Sequence, residues 1–511
     1  MISTARLRRA VRRETFGVEV GAALNLVGAL LRYLSLAFLF PVAIALGYRE
    51  SVWPFLAAGA ITAAFGLGLG AVTRGKERVG MREGFLVVAL TWALAAVFGA
   101  LPYLFSGESQ FENPVNAFLE SISGFTTTGA SILTDIEGLP RGLLMWRQFT
   151  QWIGGMGIII LAVAVLPRLR IGGRQLFEQE FPGPELERLT ATIRDTARRL
   201  WAVYLGLTVI LIALLTFYAL TGMDDAMTVY DAAAHAFSTM PTGGFSPQSE
   251  SLGAFGPATQ WTVGVFMLLA GVNFVLLYMT LVQGRTRSLL RDEEFRLYAT
   301  LAVAVSLALF AYLSAERVLE GEAALRHAFV NAVSIMTTTG FASVDFNLWP
   351  TAAVVALVGL MFIGGSAGST SGSIKVVRHL MIGRILRREL DLTIHPELVS
   401  PVRFQRRPVD EKTVRAVVAF VLLYVGFFAV GTFILIVDGA LREQAVTPFE
   451  AIAAAATTLG NVGPGVGFAG PFGSFEPFSN VSKTVLMALM WVGRLEIVTV
   501  AVLFTRGYWR A

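Results

Sequence analysis

Ten stretches of this chain are apolar over roughly twenty residues or more, at 22–47, 52–73, 84–105, 143–166, 200–221, 259–282, 297–315, 351–386, 414–438 and 481–505. About 20 apolar residues in a helix cross about 30 Å of hydrocarbon. Strands of a membrane barrel would be shorter and would alternate. Only 15% of the 511 residues are charged, against about 25% in soluble domains. The expectation is an all-α polytopic membrane protein with about ten transmembrane helices. The eighth stretch is too long for one straight crossing and contains GGSAGSTSGS, so a break is expected within it. The N-terminal MISTARLRRAVRRE is basic, but the apolar stretch that follows is too long for a signal peptide and has no clear cleavage site. The chain has no cysteine, which excludes disulfides and thiolate metal sites.

Most of the 41 basic residues lie before residue 22, in 74–82, 168–199, 284–296 and 375–415, and at the C-terminus. All six regions fall on one side of a ten-span chain. An excess of Lys and Arg marks the cytoplasmic side, which places both termini there, at the inner (plasma) membrane. The net charge of +5 resides in loops between apolar spans and does not point to nucleic acid. The opposite loops carry Glu108, Glu112, Asp135, Glu137, Asp224, Asp225, Glu250 and Asp345. They fit either ordinary solvation or a mouth that attracts cations.

Four shorter apolar segments recur on that opposite side. They are NPVNAFLESISGFTTTGAS, YDAAAHAFSTMPTGGFS, RHAFVNAVSIMTTTGFAS and TPFEAIAAAATTLGNVG. Each is a helix-like run, too short to cross, with a full span before and after it. Each ends on a glycine, at Gly129, Gly243, Gly340 and Gly460. A single Thr-Thr-Gly is a common string; four at one topological position constitute an internal repeat. Non-helical backbone is tolerated at membrane depth only where it is buried in protein or lines water. Four such loops around a pseudo-fourfold axis can replace a cation's hydration shell with carbonyl oxygens. The C-terminal ends of the short helices add partial negative charge. The expected ion-coordinating residues are Thr127, Thr128 and Gly129; Pro241, Thr242 and Gly243; Thr338, Thr339 and Gly340; and Thr458, Leu459 and Gly460. Small-residue packing turns are the competing reading.

With those segments, QWIGGMGIIILAVAVLP, GGSAGSTSGSIKVVR and GRLEI, the chain resembles the Trk/Ktr/HKT potassium transporters, in the TrkH-type branch, over essentially its whole length. The resemblance implies a K⁺ uptake pore with K⁺ as the transported ion, no tightly bound cofactor, a homodimer in the lipid membrane, and a cytosolic TrkA-type nucleotide-binding regulatory subunit. It divides the chain into a two-helix addition (1–78) and four repeats (79–175, 176–290, 291–390 and 391–511). In such proteins a serine at the first filter glycine goes with Na⁺ permeation. All four positions are glycine here, which favours K⁺, although Met240, Pro241, Leu459 and Asn461 depart from the threonine pattern.

The glycine-rich break, with Gly364, Gly365, Ser366, Gly368, Ser369, Gly372 and Lys375, is then expected to act as a gate beneath the filter; a packing kink is the alternative. Arg494 lies within a span, where a charge is costly and usually faces a cavity or a partner. It fits a positive charge below the filter, or an ion pair with Glu496 or with an acid on another helix. Glu120 could hold backbone donors behind the filter. Asn273 reads as a helix-packing residue, and His235, His327, His379 and His395 form no ligand cluster. The connectors 168–199 and 384–413 fit docking of a partner or plain solvated linkers. No constellation of acid, base and nucleophile is visible, so an enzyme is not expected. Rival readings are a Na⁺ or weakly selective cation pore, a proton-coupled K⁺ symporter, and the ion-conducting subunit of an ATP-driven pump.

Overall fold

The computed structural model describes residues 18–75, 80–160, 193–442 and 446–510. The basic segment before residue 18 and most of the 168–199 connector lie outside these residues. Among the described residues the regular structure is helical apart from one short antiparallel hairpin, β1 (Arg403–Phe404) with β2 (Arg407–Pro408).

Two helices, α1 (Val20–Ala37) and α2 (Leu39–Tyr48), continue one another as a 29-residue span, and α3 (Trp53–Val72) returns beside α1. The helices approach so closely at Gly28 and Gly66 that a Cβ on either would come within 2.9 Å of the other's carbonyl oxygen. This is the small-residue contact on which helix packing in lipid depends. Next come α4 (Met81–Gly99) with its short continuation α5 (Leu101–Phe105), the short α6 (Pro114–Phe125) and α7 (Arg141–Ile160). Glu50 ties the first unit to the rest. Its carboxylate accepts from Arg141 N at 2.6 Å and Gly142 N at 2.8 Å, two of the four amides that a helix N-terminus leaves without partners.

The pattern of span, short helix and span continues with α8 (Ile193–Thr221), α9 (Val229–Thr239) and the pair α10 (Pro257–Ala270) and α11 (Phe274–Leu281). After the connecting α12 (Thr286–Arg291) come α13 (Glu293–Ala315), α14 (Gly321–Met336), α15 (Thr351–Leu360) and α16 (Val376–Ile394). The last group is α17 (Glu411–Leu441), α18 (Pro448–Gly460), α19 (Asn480–Arg494), α20 (Ile497–Leu503) and α21 (Arg506–Trp509). Among the described residues, six helices are long and apolar enough to cross a membrane, and two bent pairs add to them. Leu422, Val425, Val430 and Phe433 of α17 are exposed, as an apolar face turned to lipid would be.

Two stretches expected as single crossings are broken. The 259–282 stretch bends by 109° between α10 and α11, and the 481–505 stretch by 111° between α19 and α20. Asn273, expected to pack between helices, instead caps α11, its Oδ1 accepting from Val275 N at 2.8 Å.

Candidate functional site

The four short helices α6, α9, α14 and α18 terminate alike. One bond closes the turn across three residues: Thr127 N to Gly124 O (2.9 Å), Thr242 N to Thr239 O (3.0 Å), Thr338 N to Ile335 O (3.1 Å) and Asn461 N to Thr458 O (3.3 Å). A second spans five, all at 2.8 Å: Thr128 N to Ser123 O, Gly243 N to Ser238 O, Thr339 N to Ser334 O and Val462 N to Thr457 O. This is the Schellman arrangement, which demands a left-handed residue after the helix. Glycine usually fills that place; here Thr127 (φ 51°), Thr242 (56°), Thr338 (57°) and Asn461 (53°) do. A β-branched residue held there costs about 1–3 kcal/mol and persists only where its surroundings enforce it. Two residues further on, the backbone is left-handed again at Gly129, Gly244, Gly340 and Gly463.

Those four glycines form a closed ring. A Cβ on Gly129 would collide with the Gly243 carbonyl oxygen, on Gly244 with that of Thr339, and on Gly340 with that of Val462. On Gly463 it would lie 2.7 Å from the Thr128 carbonyl oxygen, which returns to the first turn. Each loop thus seats its glycine against the backbone of the next, and the fourth meets the first. A side chain link reinforces that last junction: Asn461 Nδ2 donates to Thr128 Oγ1 at 3.0 Å. Above the ring lies a cavity of about 280 Å³, with Gly129, Gly244, Gly340 and Gly463 in its lining.

This geometry corrects the register of two expected triplets. In the second loop the residue equivalent to Gly129 is Gly244; Gly243 matches Thr128, and Pro241 precedes the turn. In the fourth loop Thr458, Leu459 and Gly460 belong to α18, and the equivalent triplet is Asn461, Val462 and Gly463. Helix α18 runs through Gly460, and Asn461 supplies the left-handed turn after it. The first and third triplets, Thr127 to Gly129 and Thr338 to Gly340, occupy matching places.

The glycine-rich segment between α15 and α16 lies against the ring from the other side. Gly372 N donates to Thr338 Oγ1 at 2.6 Å, and Thr370 Oγ1 donates to Met240 O at 3.0 Å. A Cβ on Gly372 would collide with the Gly460 carbonyl oxygen. Three of the four turns are therefore touched. The neck of the segment is closed by the Gly364 N to Ile374 O bond at 2.9 Å and the Val376 N to Gly365 O bond at 3.2 Å. Ser366 N donates to Gly271 O at 2.8 Å, and Phe274 N donates to Gly368 O at 3.1 Å. The break between α10 and α11 thus exposes a carbonyl and an amide that the segment satisfies, so the two irregularities complete each other. Ser369 N donates to Ser366 O at 3.1 Å, inside the segment. Lys375 Nζ donates to Ser371 O. Glu294, at the start of α13, accepts from Ala367 N at 2.7 Å and Val377 N at 3.2 Å.

Arg494 ends α19 beside this segment, fully enclosed, with Nη1 donating to Thr370 O at 2.8 Å. Its Nε and Nη2 have no hydrogen-bond partner among the described residues. Glu496 does not pair with it; that carboxylate takes Arg378 Nη2 at 2.6 Å. Glu120 is fully buried and accepts from Ile132 N at 3.0 Å and from Arg147 Nε at 2.7 Å. Among the described residues no group of three or more His, Asp or Glu could hold a metal ion. Sequence reasoning missed Arg147, Gln151 and Glu294. Gln151 Nε2 donates to Gly243 O at 2.6 Å, and its Oε1 accepts from Phe245 N at 3.1 Å. Polar residues inside an apolar span were the available signal for Arg147 and Gln151; nothing in the sequence marks Glu294.

Comparison with known proteins places this architecture. The family described as "TrkH: Cation transport protein" matches residues 53–509. The Trk system potassium uptake protein TrkH of Salmonella typhimurium is 38% identical over 504 residues, covering 96% of this chain and 99% of that protein. The Escherichia coli K12 TrkG protein is 33% identical over 497 residues, covering 96% and 99%. The crystal structure of the potassium transporter TrkH from Vibrio parahaemolyticus superposes with a TM-score of 0.86 at 33% identity, covering 96% of this chain and 100% of that one. With a ring of four turns, three broken helices and this likeness over nearly all its length, the chain belongs to the TrkH family of cation transport proteins.

Proposed function

We propose that this protein is the K⁺-conducting membrane subunit of a Trk-type uptake system. The observation that carries the reading is the closed ring, in which four loops of one chain meet glycine to carbonyl. The relatives' names as potassium uptake proteins support K⁺ as the cargo. In this reading Thr127–Gly129, Thr242–Gly244, Thr338–Gly340 and Asn461–Gly463 form the selectivity filter. Their peptide oxygens replace the water that K⁺ sheds, and the short helices end at the ring with the partial negative charge that favours a cation.

Below the filter, the Gly364–Ser373 segment is the gate. It touches three of the four loops, and Arg494 bonds its Thr370 carbonyl. A buried guanidinium with only part of its donors satisfied is costly and repels an approaching cation, so opening requires segment and arginine to move together. In this reading both termini lie on the cytoplasmic side of the plasma membrane, which the excess of basic residues in the loops on that side supports. The protein works as a homodimer, with a nucleotide-binding TrkA-type subunit acting from that side to shift the gate.

Purified protein in liposomes tests this. Fluxes of K⁺, Rb⁺, Na⁺ and Li⁺ are measured with and without an imposed proton gradient. K⁺ and Rb⁺ should pass well ahead of Li⁺, and K⁺ should move down its own gradient. K⁺ flux no greater than Li⁺ flux defeats the filter assignment, and K⁺ flux that requires the proton gradient makes the protein a symporter.

A further inference from the structure

Seven residues before each left-handed turn residue, about two helical turns back, stand Glu120, His235, Asn331 and Ala454. In three quadrants this residue reaches a serine on the exit segment beyond the glycine. Ser131 Oγ donates to Glu120 Oε1 at 2.9 Å, His235 Nε2 lies 3.1 Å from Ser246 Oγ, and Asn331 Nδ2 donates to Ser343 Oγ at 3.0 Å. Glu120, His235 and Asn331 are fully buried.

The ties are individually well anchored. His235 Nδ1 lies 2.8 Å from Asp231 O. A carbonyl only accepts, so Nδ1 donates to it, and Nε2 is the atom turned to the serine hydroxyl. Arg147, ion-paired with Glu120, also donates to Ser246 O at 3.1 Å, which joins the first tie to the second. In the third quadrant His327 Nδ1 also meets Ser343 Oγ, at 2.9 Å. The fourth quadrant differs. Ala454 has no polar group, and Gly465 stands in the exit segment, bonded within its own loop through Gly465 N to Ala469 O at 2.7 Å.

We propose that Glu120, His235 and Asn331 are positioning residues for cation discrimination, each fixing the distance between a filter exit and its own helix, and that the Ala454 quadrant is the compliant one. This rests on the filter reading above. A coordinating ring favours K⁺ over a smaller ion when its oxygens resist closing inward, and a strut from helix to exit segment supplies that resistance in three quadrants.

The test compares K⁺ and Na⁺ flux through liposomes containing the wild type, His235→Ala, Ser246→Ala, the double variant and His235→Asn, with Asn331→Ala and Ser343→Ala as a second pair. Each single alanine variant should lower the K⁺-to-Na⁺ flux ratio about five-fold, the factor one hydrogen bond commonly carries. The double variant should fall no further than either single one, because both remove the same bond. His235→Asn should recover most of the ratio, since asparagine makes this contact in the third quadrant. Wild-type ratios in both serine variants, or independent losses that multiply in the double variant, overturn the proposal. A wild type that does not discriminate at all removes the filter reading instead. If a helix variant fails to fold, the serine variants, smaller by one oxygen, decide alone.

Discussion

Threonine is a poor occupant of a left-handed backbone, yet three of the four turns use it and the fourth uses asparagine. Their neighbours hold them there, because each is closed by two backbone bonds and each following glycine abuts the next loop. The register derived from those dihedrals has a sharp consequence. Gly463→Ala should abolish transport, since its Cβ would meet the Thr128 backbone at a φ of 114°. Gly460→Ala should retain more flux: its Cβ would press on the Met361 carbonyl oxygen at 2.9 Å, but Gly460 is helical, where alanine carries no backbone strain. K⁺ uptake by a strain dependent on the plasmid-borne protein separates the two, and equal loss would restore the register anchored on Gly460. The same contrast holds for Gly244→Ala, which meets the Thr339 backbone, against Gly243→Ala, which meets the Gln151 side chain. At this scale the sequence was only half legible. Thr-Thr-Gly showed where the first and third turns lie. In the second and fourth, anchoring on the first glycine misplaced the turn, because Thr242 and Asn461, not a glycine, hold the left-handed position there.

At the scale of elements, three broken spans converge on one segment. The break inside 351–386 could be read from its length and glycines. The breaks at 271–273 and 495–496 could not, because Gly-Val-Asn and Arg-Leu-Glu are embedded in continuous apolar sequence, and the groups that meet them there, the 366–368 backbone at the first and the Thr370 carbonyl at Arg494, come from a segment distant in sequence. Gly372→Ala forces a Cβ against Gly460 and Asn461 and should push the segment off the ring. Basal K⁺ flux without any regulatory subunit should rise roughly ten-fold, the factor that about 1.4 kcal/mol of lost closed-state contact corresponds to. Arg494→Gln should act in the same direction and change flux more than protein abundance. Flux and immunoblot measured together check both variants, and a parallel drop in flux and abundance would mean that the segment is only structural packing.

For the whole molecule, the spans and their all-α character were evident from apolar length alone, while the association of the first two spans with the rest was not. It is made by packing such as Phe38 on Trp146 and by Glu50 reaching the start of α7, a contact between segments 91 residues apart with no local signature. Glu50→Ala should lower stability by about 1–2 kcal/mol, the usual worth of a lost helix cap, and leave the K⁺-to-Na⁺ flux ratio unchanged. A thermal melt in detergent and the flux ratio check the two halves of that statement. The ring has one further consequence, for biogenesis. Its closing contact joins Asn461 to Thr128, 333 positions apart. While a ribosome is still delivering the chain, three quarters of the aperture can be inserted and folded, yet one flank stays open to the lipid. With the ring as the filter proposed above, no conducting path exists until the final quadrant is threaded in, so a nascent or prematurely terminated copy would leave the membrane's ion gradients intact.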